Sequence, residues 1–135
     1  MFRPELYRTF EQVVELSKEI KSGATKEQIS DARPASSYNA GHIDQAVNDW
    51  WKNFQNDDGT IKTPEQIRSI ALQNGIDLNK PQTTSCQSGI TATWLFVSYE
   101  HAGNKKVALY DGSYNEYSDR IKNYTMAPTA EAFLE

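Results

Sequence analysis

The stretch Gln82-Thr83-Thr84-Ser85-Cys86-Gln87-Ser88-Gly89-Ile90-Thr91-Ala92-Thr93-Trp94-Leu95-Phe96-Val97-Ser98-Tyr99-Glu100-His101-Ala102-Gly103 decides how this chain is read. Its opening is short and rich in β-branched residues, as strands are. From Thr91 onward it reads as a helix that stops at Gly103. A strand, a tight glycine-containing loop and a helix, in that order, aim a row of backbone N–H groups at one spot. The helix N-terminus carries about half an elementary charge. Free cysteine has a pKa of about 8.5, and such a setting lowers it to about 3.5–7.5. Cys86 is therefore the candidate nucleophile. A lone cysteine is more often a small buried hydrophobe, but Gln87, Ser88 and Gly89 are poor company for a core position. Gly89 also permits the positive φ that a loop curling over its own sulfur requires.

Composition narrows the function classes. A chain of 135 residues is one domain with room for a real core, and 38% hydrophobic content with three Trp and seven Tyr suits a folded protein. A net charge of −4 without a basic cluster speaks against nucleic acid as a partner. One cysteine makes no internal disulfide, and one Cys with two distant His builds no ordinary zinc site, so neither a metal nor another cofactor is expected. No apolar run approaches the ~20 residues of a membrane span, and the N-terminus lacks the apolar core of a signal peptide. A cytoplasmic location is expected, with a mitochondrial one left open.

Working outward along the chain, residues 1–7 read as an extended lead-in, because Pro4 opposes helix before it. Thr9-Phe10-Glu11-Gln12 fits a capping box. Phe10, Val13, Val14, Leu16 and Ile20 follow as an apolar stripe that Gly23 stops. A weak strand spans 27–30 and ends in Asp31-Ala32-Arg33-Pro34. Residues 36–45 read as loop. The spacing of Val47, Trp50, Trp51 and Phe54 predicts a short helix over 46–54. Thr63-Pro64-Glu65-Gln66 is a second helix start, with Pro at its first position, and Gly75 ends that helix. Lys106-Val107-Ala108-Leu109-Tyr110 reads as a strand, ending in Asp111-Gly112-Ser113. Helices alternating with short strands give an α/β domain with a mainly parallel sheet. Ligands bind such sheets beyond the carboxyl ends of the strands. Three of those ends carry polar groups: Asp31 with Arg33, Cys86, and Asp111 with Ser113. Buried parallel strands normally read as apolar runs, so the polar strand 82–85 stands out.

The residues also resemble a family, in order along most of the chain. The matching pieces are Phe2-Arg3-Pro4-Glu5, Asp31-Ala32-Arg33, Gly41-His42-Ile43, Ala46-Val47-Asn48, Asp58-Gly59-Thr60-Ile61-Lys62-Thr63-Pro64-Glu65 and Gly75-Ile76-Asp77. Cys86-x-Ser88-Gly89-x-Thr91-Ala92 and Tyr110-Asp111-Gly112-Ser113-Tyr114-x-Glu116-Tyr117 complete the series. Together they resemble the C-terminal catalytic rhodanese domain of the thiosulfate and 3-mercaptopyruvate sulfurtransferases. The resemblance implies a single rhodanese-like domain with a five-stranded parallel sheet flanked by helices. It divides the chain into a lead-in over 1–8 resembling an interdomain linker, a catalytic domain over 9–126 and a tail over 127–135.

The same resemblance implies a sulfurtransferase. It would move a sulfane sulfur from thiosulfate or 3-mercaptopyruvate to a thiol or cyanide acceptor, through a persulfide on Cys86. Gln87, Ser88, Gly89, Ile90 and Thr91 would bind the substrate, and a second rhodanese domain is a possible partner. Thr91 is expected to cap the helix as well. The loop is similar to the mercaptopyruvate type, since the thiosulfate type carries Arg and Lys where Gln87 and Ser88 stand. Two arginines by which the mercaptopyruvate enzymes hold the substrate carboxylate have no counterpart here, where Ser37 stands and Tyr38-Asn39-Ala40 runs directly into Gly41-His42. The family's cysteine phosphatases close a longer loop with Arg, and Ala92 replaces that residue. The rival expectation is a non-catalytic persulfide carrier or a half-domain that needs a partner. Asp31 and Arg33 are expected to brace the loop, and His42 to be a satisfied structural histidine.

Overall fold

The computed structural model describes residues 3–124. The expected tail over 127–135 and the end of the domain at 126 lie outside the described residues. Four strands, β1 (Gln28–Asp31), β2 (Ala46–Asn48), β3 (Gln82–Ser85) and β4 (Val107–Leu109), form one parallel sheet in the order β2-β1-β3-β4. The expected fifth strand is reduced to a single parallel bridge, Tyr7 beside Leu109, sealed by the Arg8 N–H donating to the Leu109 carbonyl at 2.9 Å. Pro4–Leu6 winds into a 3-10 turn instead of running extended, so only one residue of the lead-in reaches the sheet edge.

Two capping boxes fix helix starts where the sequence predicts them. Thr9 and Gln12 bond reciprocally to open α1 (Phe10–Ser22), and Gly23 closes it at φ 79°. Thr63 and Gln66 open α3 (Pro64–Gln73) in the same way. The interval 36–45 is not all loop, for α2 (Ala35–Ala40) forms after Pro34, whose carbonyl accepts from the Ser37 and Tyr38 N–H groups. The predicted helix over 46–54 is instead β2 followed by a 3-10 turn at Trp51–Phe54. The helical spacing of Val47 and Trp51 comes from a strand and a turn that both lay side chains on the same core. Two further helices, α4 (Ile90–His101) and α5 (Ser113–Tyr124), complete the fold.

Apolar clusters cover both sheet faces. Phe54, Ile67, Ala71, Leu95 and Tyr99 build one with α3 and α4, and Phe10, Val13, Ile29, Tyr110 and Tyr117 build the other with α1 and α5. The polar β3 is fully buried. It tolerates that because Gln82, Thr83 and Thr84 find partners, as buried polar groups generally do, while the Ser85 hydroxyl is buried without one. Gln82 accepts from Ser30 at 2.6 Å and donates to Gln28 at 2.9 Å, while Thr84 donates to the Ala92 carbonyl at 3.1 Å. The chain goes from β1 to β2 on one side and to β3 on the other, so the strand order reverses between β1 and β3. That switch point is where parallel sheets open a crevice. The register pairs Asp31 with Ser85, which brings Arg33 and Cys86 out of the sheet side by side.

Candidate active site

Cys86 stands directly after β3, and the loop beyond it curls back so that the Gly89 N–H donates to the sulfur at 3.0 Å. Gly89 holds φ at 100°, and a Cβ there would come within 2.5 Å of the Asp111 carbonyl, so both conformation and space demand glycine. It is also the N-cap of α4 and supplies no side-chain cap. Thr91 therefore does not cap the helix. Its hydroxyl lies close enough to Cys86 to lower the thiol pKa.

The electrostatics follow from these contacts. Burial by itself raises the Cys86 thiol, but the Thr91 hydroxyl and the N–H groups of Ala92, Gly89 and Ser88 outweigh it and hold the pKa below the ordinary thiol value. The residue is only 1% exposed, so the sulfur lies at the floor of its loop. Ile90 marks the rim, at 78% exposure.

Elements distant in sequence brace the loop from outside. Arg33 pairs with Asp31 at 2.7 Å in a buried contact, donates to the Gly41 carbonyl at 2.8 Å, and lies over the Tyr114 ring at 4.4 Å. Its remaining nitrogen donates to Gln87 Oε1 at 3.1 Å, and Gln87 Nε2 donates to Asn115 Oδ1 at 2.6 Å. The Gln87 side chain is thus a strut between β1 and α5. His42 Nδ1–H donates to the Tyr38 carbonyl at 2.9 Å and the ring stacks on that of Tyr38, which makes it a satisfied structural residue. Among the described residues no three His, Cys, Asp or Glu side chains come together as metal ligands would.

The profile of the Rhodanese-like domain family matches residues 12–120. The chain belongs to the rhodanese-like domain family. Thiosulfate sulfurtransferase of Gallus gallus is 34% identical over 124 residues, covering 85% of this chain and 41% of the relative. The 3-mercaptopyruvate sulfurtransferase of Escherichia coli K12 is 34% identical over 104 residues, covering 69% and 37%. The crystal structure of SseA, a 3-mercaptopyruvate sulfotransferase from Escherichia coli, superposes with a TM-score of 0.73 at 32% identity, over 84% of this chain and 44% of that one. Tum1 protein from Saccharomyces cerevisiae shares the fold, at a TM-score of 0.76 and 21% identity. The rhodanese-like domain thus spans about two-fifths of the length of the curated relatives it matches.

The structure brings Cys86, Ser88, Gly89 and Thr91 of the expected site together around one sulfur, while the Gln87 side chain points outward to its struts. Sequence reasoning missed Asn115 and the contact of Ser113 with Cys86. The signal was present in Asp111-Gly112-Ser113 at a strand end, but the helix after it went unread.

Proposed function

We propose that this rhodanese-like domain is a sulfurtransferase whose nucleophile is Cys86. One observation carries the reading: the Gly89 N–H, at the cap of α4, donates to the buried Cys86 sulfur at 3.0 Å, a setting that lowers the thiol pKa. In the first half-reaction the thiolate attacks the outer sulfur of the donor. With thiosulfate, a Cys86 S–S bond forms, the donor S–S bond breaks, and sulfite leaves with its electron pair. With 3-mercaptopyruvate the C–S bond breaks, and the proton of the donor thiol ends on the departing carbon to give pyruvate. In the second half-reaction a thiol or cyanide attacks the terminal sulfur and restores the thiolate, a ping-pong cycle.

The N–H groups of Gln87 to Thr91 stabilise charge on the terminal sulfur as an oxyanion hole would. Ser88 offers a hydroxyl at the same loop for the donor. Gln87 and Ser88 bring no cation, which supports 3-mercaptopyruvate over a dianionic donor, although the arginines expected for its carboxylate are missing. A second reading is a persulfide carrier or half-domain completed by a second rhodanese domain. The two-fifths coverage of the relatives favours it.

Mass spectrometry after treatment with either donor tests both. Wild type should gain one sulfur and Cys86→Ser none, and a gain that survives in Cys86→Ser sinks the proposal. Loading without turnover to cyanide or a small thiol selects the carrier.

A further inference from the structure

Ser113 is fully buried and sits at φ 55°, a left-handed conformation that costs a non-glycine residue energy and persists only where the surroundings hold it. Its hydroxyl accepts the Cys86 N–H at 3.0 Å, donates to the Tyr110 carbonyl at 2.9 Å, and lies 3.9 Å from the Cys86 sulfur. The next two residues continue the grip, as the Tyr114 N–H donates to the Cys86 carbonyl at 2.9 Å and the Asn115 N–H to the Gln87 carbonyl at 3.0 Å. The start of α5 therefore takes up one donor and two acceptors of the loop. A peptide carbonyl drawn outward turns the following N–H inward, because the peptide unit is planar and trans. The Gln87 carbonyl, held outward by the Asn115 N–H, thus turns the Ser88 N–H inward, beside the Gly89 N–H that donates to the sulfur at 3.0 Å.

We propose that Ser113 is a positioning residue of the Cys86 loop: by holding the Cys86 amide and starting α5 at that point, it keeps the carbonyls of Cys86 and Gln87 turned outward and fixes the curl in which the Gly89 N–H reaches the sulfur. This rests on the thiolate reading of Cys86 given above. A hydroxyl is suited to the place because it accepts and donates at once, so the buried Cys86 N–H and Tyr110 carbonyl are both satisfied by one small group.

The experiment is the pH dependence of Cys86 alkylation by iodoacetamide, in wild type, Ser113→Ala and Ser113→Gly. Alanine removes the hydroxyl and keeps the strained φ, whereas glycine removes the hydroxyl and accepts that φ freely. Both should raise the midpoint by about one pH unit, so that alkylation below both midpoints slows about tenfold. The charged groups around the loop, the Asp31–Arg33 pair and Asp111 against Gly89, are the same in all three proteins. A depressed wild-type midpoint that neither folded variant moves overturns the role of Ser113 and leaves the thiolate reading intact. An ordinary wild-type midpoint overturns the thiolate reading itself, and this inference with it. Loss of the fold in both variants assigns Ser113 a purely structural role and also overturns the proposal.

Discussion

Helices α1 and α4 begin in opposite ways. At α1, Thr9 accepts from the Gln12 N–H and Gln12 returns the bond to Thr9, so the first amides are engaged by the helix's own side chains. At α4 the cap is Gly89, which has no side chain to cap with, and its amide donates to the Cys86 sulfur instead. Every helix start leaves amides without internal partners. In this protein those of α1 serve stability, and the Gly89 amide at the start of α4 serves the Cys86 sulfur. The difference teaches where to look for chemistry: at the helix whose cap is withheld. Like α1, α3 is fully boxed and carries no site.

The sharpest way to break the contrast is Gly89→Ala. The left-handed φ costs a non-glycine residue about 1–3 kcal/mol, and the Cβ would also crowd the Asp111 backbone. A loss of about 3 kcal/mol or more is expected in urea unfolding, together with loss of thiolate reactivity. A variant that kept both would mean that the loop does not need its present curl.

Asp49 tests what anchors α4 in place of a cap. This buried carboxylate accepts from Tyr99 of α4 at 2.5 Å and from Asn74 at 2.9 Å. Burial raises its pKa from 3.8 to about 6, against the lowering effect of those two hydrogen bonds. A carboxyl with a raised pKa binds its proton more tightly in the folded state. Its favourable contribution is therefore complete below the unfolded value and lost as pH rises toward 6, a change of about 3 kcal/mol. Stability should fall between about pH 4 and 6, and Asp49→Asn should flatten that slope in denaturation curves taken across the range.

The smallest effect is expected at α1. Thr9→Ala should cost about 1 kcal/mol, as lost N-caps do, measured by urea midpoint, with no change in the alkylation rate of Cys86. A change in that rate would show that the two helix starts are not separate in purpose.

Local chemistry was legible in the chain. The caps at Thr9 and Thr63 and the glycine stop at Gly23 each rest on neighbours within four residues, so sequence suffices. The strand-loop-helix around Cys86 was legible for the same reason. Partnership across the fold was not. The three residues of β2 are too few for any periodicity, and they are a strand because β1 offers a ladder beside them. In α5, Tyr114, Tyr117, Ile121 and Tyr124 recur at helical spacing, yet Asp111-Gly112-Ser113 reads as an ending rather than a beginning. Thr91 sat where a cap belongs, but Gly89 had already started the helix. Asp49 acquires its character only when Tyr99 and Asn74 arrive from α4 and from the end of α3. The fifth strand came from the family pattern, and the 3-10 turn at Pro4–Leu6 leaves room for one bridge only.

Ser113 meets the Cys86 amide across 27 positions of chain. Synthesis at about 5–20 residues per second leaves a delay of roughly one to five seconds between the emergence of the two. During that interval the loop exists without its outer brace, and any nascent product cut short before Ser113 carries the cysteine with its loop unfinished. On the proposed reading, the thiol thus gains its full setting only once Ser113 has been added, seconds after the cysteine itself.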